Sequence, residues 1–193
     1  FKEELSLEQM CQELVISCER VQKIIQHLNT KLPQHYGISI QLSPLFMEGT
    51  EEDIRAFYLD YFSQSYDFLD WPFPSISEEC LTDLIQLFLN AQQVSPNLSS
   101  LRQIKYTLAI NLERFNKSHL IENPTPLLTS HYSTLLQIPQ FEQDIKKLAK
   151  KLNFEPKQET LEQLFSNPVK SPQITNNPSN GALGNIHHIQ KSY

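Results

Sequence analysis

The sequence predicts an all-α protein, a bundle of about six to seven helices followed by a flexible polar C-terminal tail. Three observations carry that expectation. Apolar residues recur at helical spacing in run after run between Met10 and Phe165. Serine or threonine heads most of these runs, sometimes with proline one step later, and such residues start helices. Glycine occurs only four times in 193 residues, and Gly181 and Gly184 lie in the tail. So few glycines argue against tight hairpins and phosphate-cradling loops, which need φ > 0.

Residues 6 to 32 read as one helix, with Met10, Leu14, Cys18, Val21, Ile25 and Leu28 in a single apolar stripe. Ser6 and Gln9 have the spacing of a capping box, and Pro33 ends the run. Residues 34 to 49 read as a loop; Ile38 to Leu42 alternates like a strand but has no evident partner. Thr50 and Asp53 open a second helix, aromatic on one side through Phe57, Tyr58, Tyr61 and Phe62. Trp71 and Phe73 sit in a proline-bounded turn and are expected to tuck onto the core. Ser75 and Glu78 start a third helix carrying Leu81, Leu84, Ile85, Phe88 and Leu89, apolar enough to be central. Ser95-Pro96 and Thr125-Pro126 start a fourth and a fifth, a sixth follows Pro139, and a short seventh carries Leu161, Leu164 and Phe165. The helical domain thus covers 1–165. From 166 to 193 the chain is rich in Asn, Ser and Pro and has too little apolar surface to offset the entropy of ordering.

The formal charge is −6, from 22 acidic and 16 basic residues, a balance that repels phosphate backbones and argues against a nucleic-acid partner. No apolar run approaches the ~20 residues of a membrane span, so no integral membrane segment is expected and the protein is placed in the cytoplasm. On one continuous helix Cys11 and Cys18 would stand roughly 10 Å apart, too far for a disulfide. All three cysteines, with Cys80, are therefore expected as small apolar residues in a reducing compartment. No catalytic triad, dinucleotide fingerprint or metal-ligand spacing is visible, and neither a cofactor nor a metal is expected. His187-His188 lies in the tail, and His27, His35, His119 and His131 are scattered. The acidic starts Glu51-Glu52-Asp53 and Glu78-Glu79 each favour a helix dipole by about 0.3 to 1 kcal/mol per charge.

Residues 77 to 104, SEECLTDLIQLFLNAQQVSPNLSSLRQI, resemble the core of the vacuolar-protein-sorting-nine (Vps-nine) type exchange domain of endosomal Rab GTPases. Ser77-Glu78-Glu79 matches its acidic start, Leu84 through Ala91 its apolar helix, and Leu98 through Ile104 its Leu-x-Ser-Asn-Leu-x-Tyr-Ile-like run. Leu127-Leu128-Thr129-Ser130 matches a later Tyr-x-x-Thr element, so the resemblance covers about 76–140. Here Glu79 replaces the family's aspartate, Pro126 its tyrosine and Thr82 its helix-start proline. The resemblance implies a guanine-nucleotide exchange factor. Glu79, or alternatively Glu78, would take the P-loop lysine of a small GTPase from the nucleotide phosphate. Thr82, Pro126, Thr129 and Tyr132 would line the partner surface. The glycine-poor composition, rich in Gln, Asn, Ile and Lys, suits a secreted bacterial version acting in a host cytosol or at its endosomal surface. The alternative is a non-catalytic helical protein-interaction module that binds through the aromatic helix.

Overall fold

The structure, a computed structural model, describes residues 6–66, 70–127 and 132–168. It is mostly helical, as expected, with one small two-stranded sheet among the described residues.

The first expected helix, over 6 to 32, is two helices, and a short third begins at its end with Pro33 in its first turn. Ser6 and Gln9 form the capping box of α1 (Leu7–Leu14), which stops at Val15. Val15 takes the left-handed conformation, φ 55 and ψ 39. That conformation costs a residue with a Cβ about 1–2 kcal/mol. Ser17 then caps α2 (Cys18–Asn29), accepting a hydrogen bond from Arg20 N. A short α3 (Leu32–Tyr36) ends at Gly37. The break brings the Cys11 and Cys18 Cα atoms to 5.3 Å, and the two form a disulfide across the turn; Cys80 is free. The expectation of three unbridged cysteines is corrected, because its premise was an uninterrupted helix.

Residues 38 to 49 are also more than a loop. Strand β1 (Ser39–Leu42) pairs antiparallel with β2 (Leu45–Glu48), with Ser39 opposite Glu48 and Leu42 opposite Leu45, across a turn that holds a cis Ser43–Pro44 bond. Asn29, at the end of α2, clamps this hairpin: its Nδ2 donates to Ile40 O and its Oδ1 accepts from Ile40 N, both at 2.8 Å. Gly49 closes the hairpin at φ 155, where an added Cβ would stand 2.7 Å from Ile38 Cγ2.

Thr50 caps α4 (Glu51–Ser65), and Ser77, rather than the expected Ser75, caps α5 (Glu78–Ala91). Asn97 caps α6 (Leu98–Asn116). Then come α7 (Tyr132–Leu135), α8 (Pro139–Leu152) and α9 (Gln158–Leu164). Helix α6 is wrapped by α4, α5 and α9, while α5 packs on α8 as well. Burial of every residue from Tyr106 to Leu112 makes α6 the axis of the bundle, beside the expected α5. The main core runs from Phe73 through Leu84, Phe88, Leu108 and Ile145 to Phe165. Trp71 is half-buried and donates its indole N–H to Ile76 O at 2.8 Å. The aromatic face of α4 is mostly absorbed internally, Phe57 against Tyr36 and Phe62 against Phe73, leaving Tyr61 half exposed. The expected tail lies outside the described residues from 169 onward. Ser166 is buried, and its backbone bridges Pro126.

Helix α4 is joined to the bundle by a buried polar network. Arg55, fully buried, donates from Nε to Glu51 Oε1 (2.7 Å), from Nη1 to Asn111 Oδ1 (3.1 Å) and from Nη2 to His119 O (2.8 Å). Arg114 donates to the same Glu51, at 2.9 and 2.6 Å. Asn111 Nδ2 donates on to Leu164 O and Ser166 O beyond α9. One carboxylate therefore holds two guanidinium groups between α4 and α6.

Candidate nucleic-acid interface

The residues expected to engage a GTPase do not form the expected cleft. Glu78 and Glu79 sit exposed in the first turn of α5, and Glu78 is ion-paired with Lys105 of α6. Thr82 turns its hydroxyl back onto Glu78 O at 2.8 Å. Pro126 lies in a backbone bridge with Ser166 and starts no helix. Thr129 lies outside the described residues. Tyr132 is buried in the core, its ring 5.9 Å from Phe88 and 6.0 Å from Phe165. Burial pushes its phenol far above the ordinary tyrosine range.

A different site is built at the other end of the chain. Two helices, α1 and α2, are joined by the three residues Val15 to Ser17, and the hairpin packs behind them. Val21 and Ile25 of α2 point inward onto Cys11, Ile40, Leu42 and Leu45. By the 3.6-residue period, Arg20, Lys23 and His27 fall on the opposite, exposed face of α2, with Glu19, Gln22 and Gln26 beside them. Glu19 pairs with Lys23 at 2.7 Å across two exposed side chains, an interaction worth little and easily exchanged for another anion. Asn29 fixes the hairpin to the same helix. The arrangement is a helix-turn-helix with a β-hairpin at its flank, which presents one helix outward on a short, rigid turn. Arginine, lysine and glutamine on such a helix can reach base edges and phosphates.

The match to known families covers these elements and extends into α4. A family model described as the Mga helix-turn-helix domain matches residues 1–62. A second, described as the M protein trans-acting positive regulator (MGA) PRD domain, matches residues 77–193, more than half of the chain.

The chain belongs to the Mga family.

A putative trans-acting regulator of Streptococcus pneumoniae serotype 4 is 35% identical over 122 residues, covering 63% of this chain and 25% of that protein. The anthrax toxin expression trans-acting positive regulator of Bacillus anthracis is 28% identical over 149 residues, 67% of this chain and 31% of that protein. The capsule synthesis positive regulator AcpB of the same organism is 26% identical over 87 residues, 45% of this chain and 18% of that protein. This Mga-family chain thus spans about a quarter to a third of the length of the first two relatives.

Membership overturns the Vps-nine resemblance and the exchange-factor function with its Rab-group GTPase partner, since residues 77 to 140 fall within the MGA PRD match. The shared pattern was a serine cap, acids in the first turn and an apolar helix, a grammar common to many buried helices. The reading as a secreted effector at an endosome has no support in these relatives. The exclusion of nucleic acid is corrected as well. It rested on net charge, whereas residues 6 to 49 hold Arg20, Lys23 and Lys31 against Glu8, Glu13, Glu19 and Glu48, nearly in balance. Much of the acidity lies elsewhere, and Glu51 is neutralised inside the fold. Arg20, Lys23 and His27, exposed on α2 at i, i+3, i+7 spacing, were not among the residues singled out from the sequence. No helix among the described residues is long and apolar enough to cross a membrane.

Proposed function

We propose that this chain is the DNA-reading and adjoining control part of a bacterial transcriptional activator that works in the cytoplasm. Helix α2 lies in the major groove of duplex DNA, and the hairpin tip at Ser43 and Pro44 rests on the neighbouring backbone. The observation that carries this reading is the outward stripe Arg20, Lys23 and His27 on a helix whose inner face is fixed by Val21, Ile25 and Asn29. The family's helix-turn-helix description and the positive-regulator names of the relatives support it.

The test is selection of duplexes from a random library on the purified chain, followed by anisotropy titration of the enriched sequence. The double variant Arg20→Ala/Lys23→Ala is expected to weaken binding at least about tenfold, one to two lost contacts at roughly 1–3 kcal/mol each. With three local cations, log K should fall against log salt with a slope of about −2 to −3. Lys146→Ala on α8, far along the chain, should change nothing. A library that yields no enriched duplex, or equal affinity for the double variant, refutes the proposal.

A further inference from the structure

The turn between α1 and α2 carries the bridged pair of cysteines. Cys11 lies in the second turn of α1 and is buried, at 6% exposure; Cys18 is the first residue of α2 and is half-buried. Two features of this turn oppose one another. Val15 stands at φ 55, a conformation unfavourable to a β-branched residue, and its side chain is too exposed for packing to offset that cost. The bridge acts the other way and holds the turn closed.

Helix α1 has eight residues, too few to keep its order unaided in water. Apart from the bridge it rests on a small apolar cluster, in which Leu7, Met10 and Ile16 meet Val21 and Ile25 of α2, separate from the main core. Whether the two sulfurs are joined therefore bears directly on how firmly α1 sits on α2. Disulfides are rare in the cytoplasm, where the proposed function places this chain, and those that occur there are mostly transient and redox-sensing. The inference rests on that placement. Sensor pairs combine an accessible sulfur with a second one in reach. Cys18 is the more accessible member here and Cys11 the buried one, and a half-buried sulfur in a short turn favours a small oxidant.

We propose that Cys11 and Cys18 form a reversible modification site for hydrogen peroxide, whose closure orders α1 against α2. The Cys18 thiolate attacks one peroxide oxygen, the O–O bond breaks, and the departing hydroxide takes up a proton to become water. The Cys11 sulfur then attacks the Cys18 sulfenic acid. The S–S bond forms, the S–O bond breaks, and a second water leaves with the Cys11 proton. Two thiols have given two electrons to one peroxide. Two equivalents of glutathione reopen the bridge by exchange and leave as their own disulfide. In helix-turn-helix docking the first helix crosses the DNA backbone while the second reads the groove, so the closed form binds DNA more tightly.

Alkylation in denaturant with N-ethylmaleimide, counted by mass, tests the chemistry. The chain reduced with dithiothreitol should show three thiols, and after one equivalent of peroxide only that of Cys80. Millimolar reduced glutathione should restore all three. Cys11→Ser should stop at a sulfenic acid on Cys18, trapped by dimedone, and Cys18→Ser should react far more slowly. Amide exchange at residues 9 to 14 should be at least about tenfold slower in the closed form, with α5 and α6 unchanged. The selected duplex should bind the closed form about threefold more tightly or better. Three intact thiols after peroxide, a bridge through Cys80, closure that survives glutathione, or equal exchange of α1 in both states would overturn the proposal. Equal duplex affinity in both states would overturn the switch and leave the DNA reading standing. A chain that selects no duplex in either state fails as a DNA reader, and the thiol count and the exchange rates still decide the modification site.

Discussion

Glu51→Ala is expected to destabilise the fold by about 3–5 kcal/mol, read as a lowered urea midpoint at unchanged slope. Its carboxylate is the anion between two buried guanidinium groups, Arg55 with no exposure and Arg114 with 5%. Alanine leaves both charges inside the protein, and guanidinium does not shed its proton to escape. Asn111 Oδ1 and the backbone carbonyls of His119 and Gln163 accept further Arg55 protons, but these acceptors are neutral. Glu51→Gln keeps one acceptor oxygen, so its loss should fall between wild type and alanine. The same carboxylate sets an acid limit. Burial alone would raise the Glu51 carboxyl, but hydrogen bonds and charge from Arg114 and Arg55 outweigh it and hold it below its ordinary 4.5. A depressed folded-state value means stability that is fully present above pH 4.5 and lost as the pH falls through the lower value. Wild type should therefore lose its advantage over Glu51→Gln in acid. A wild-type-like midpoint for the alanine variant would show that the network is ornamental.

Phe88→Ala should cost a similar amount, about 3–5 kcal/mol, through a cavity rather than a charge. The ring has no exposure and lies 4.2 Å from Phe165, 5.1 Å from Phe141 and 5.9 Å from Tyr132 between centroids. It is where α5, α7, α8 and the residue ending α9 meet, so no single neighbour can move to fill the space. Phe88→Leu should recover most of the loss, because volume and apolar surface largely return. A loss below about 1 kcal/mol for alanine would mean that the core closes around the gap.

The parts of the fold legible in the sequence are those where one helix obeys one rule. Thr50 with Asp53, the apolar run from Leu81 to Leu89 and the proline before Phe141 mark α4, α5 and α8 without tertiary information. The helix-turn-helix was illegible for a physical reason. Its turn places valine, not glycine, at the left-handed position, and the stripe from Met10 to Leu28 continues in phase across the break. Only the fold shows that Leu14 and Val15 are exposed while Cys11 is buried. The hairpin was hidden by its shortness, since four-residue strands announce themselves only through a partner and through Asn29. The exclusion of nucleic acid failed because charge was summed over the chain. Binding responds to what one helix face presents, and Glu51 is acidic in the sum yet spent internally. Glu78 and Glu79 were singled out by the resemblance of residues 77 to 104, although they occupy the place where any helix welcomes acids.

The claim on which the account rests is that α2 is the surface that touches DNA. The most direct measurement is the amide spectrum of the chain titrated with its selected duplex. The account predicts that the largest changes fall on Arg20, Lys23 and His27 with Ser43 at the hairpin tip, while Glu78, Glu79 and the core of α5 stay still. Changes centred on α5 to α9, with α2 unmoved in the presence of saturating duplex, would contradict it.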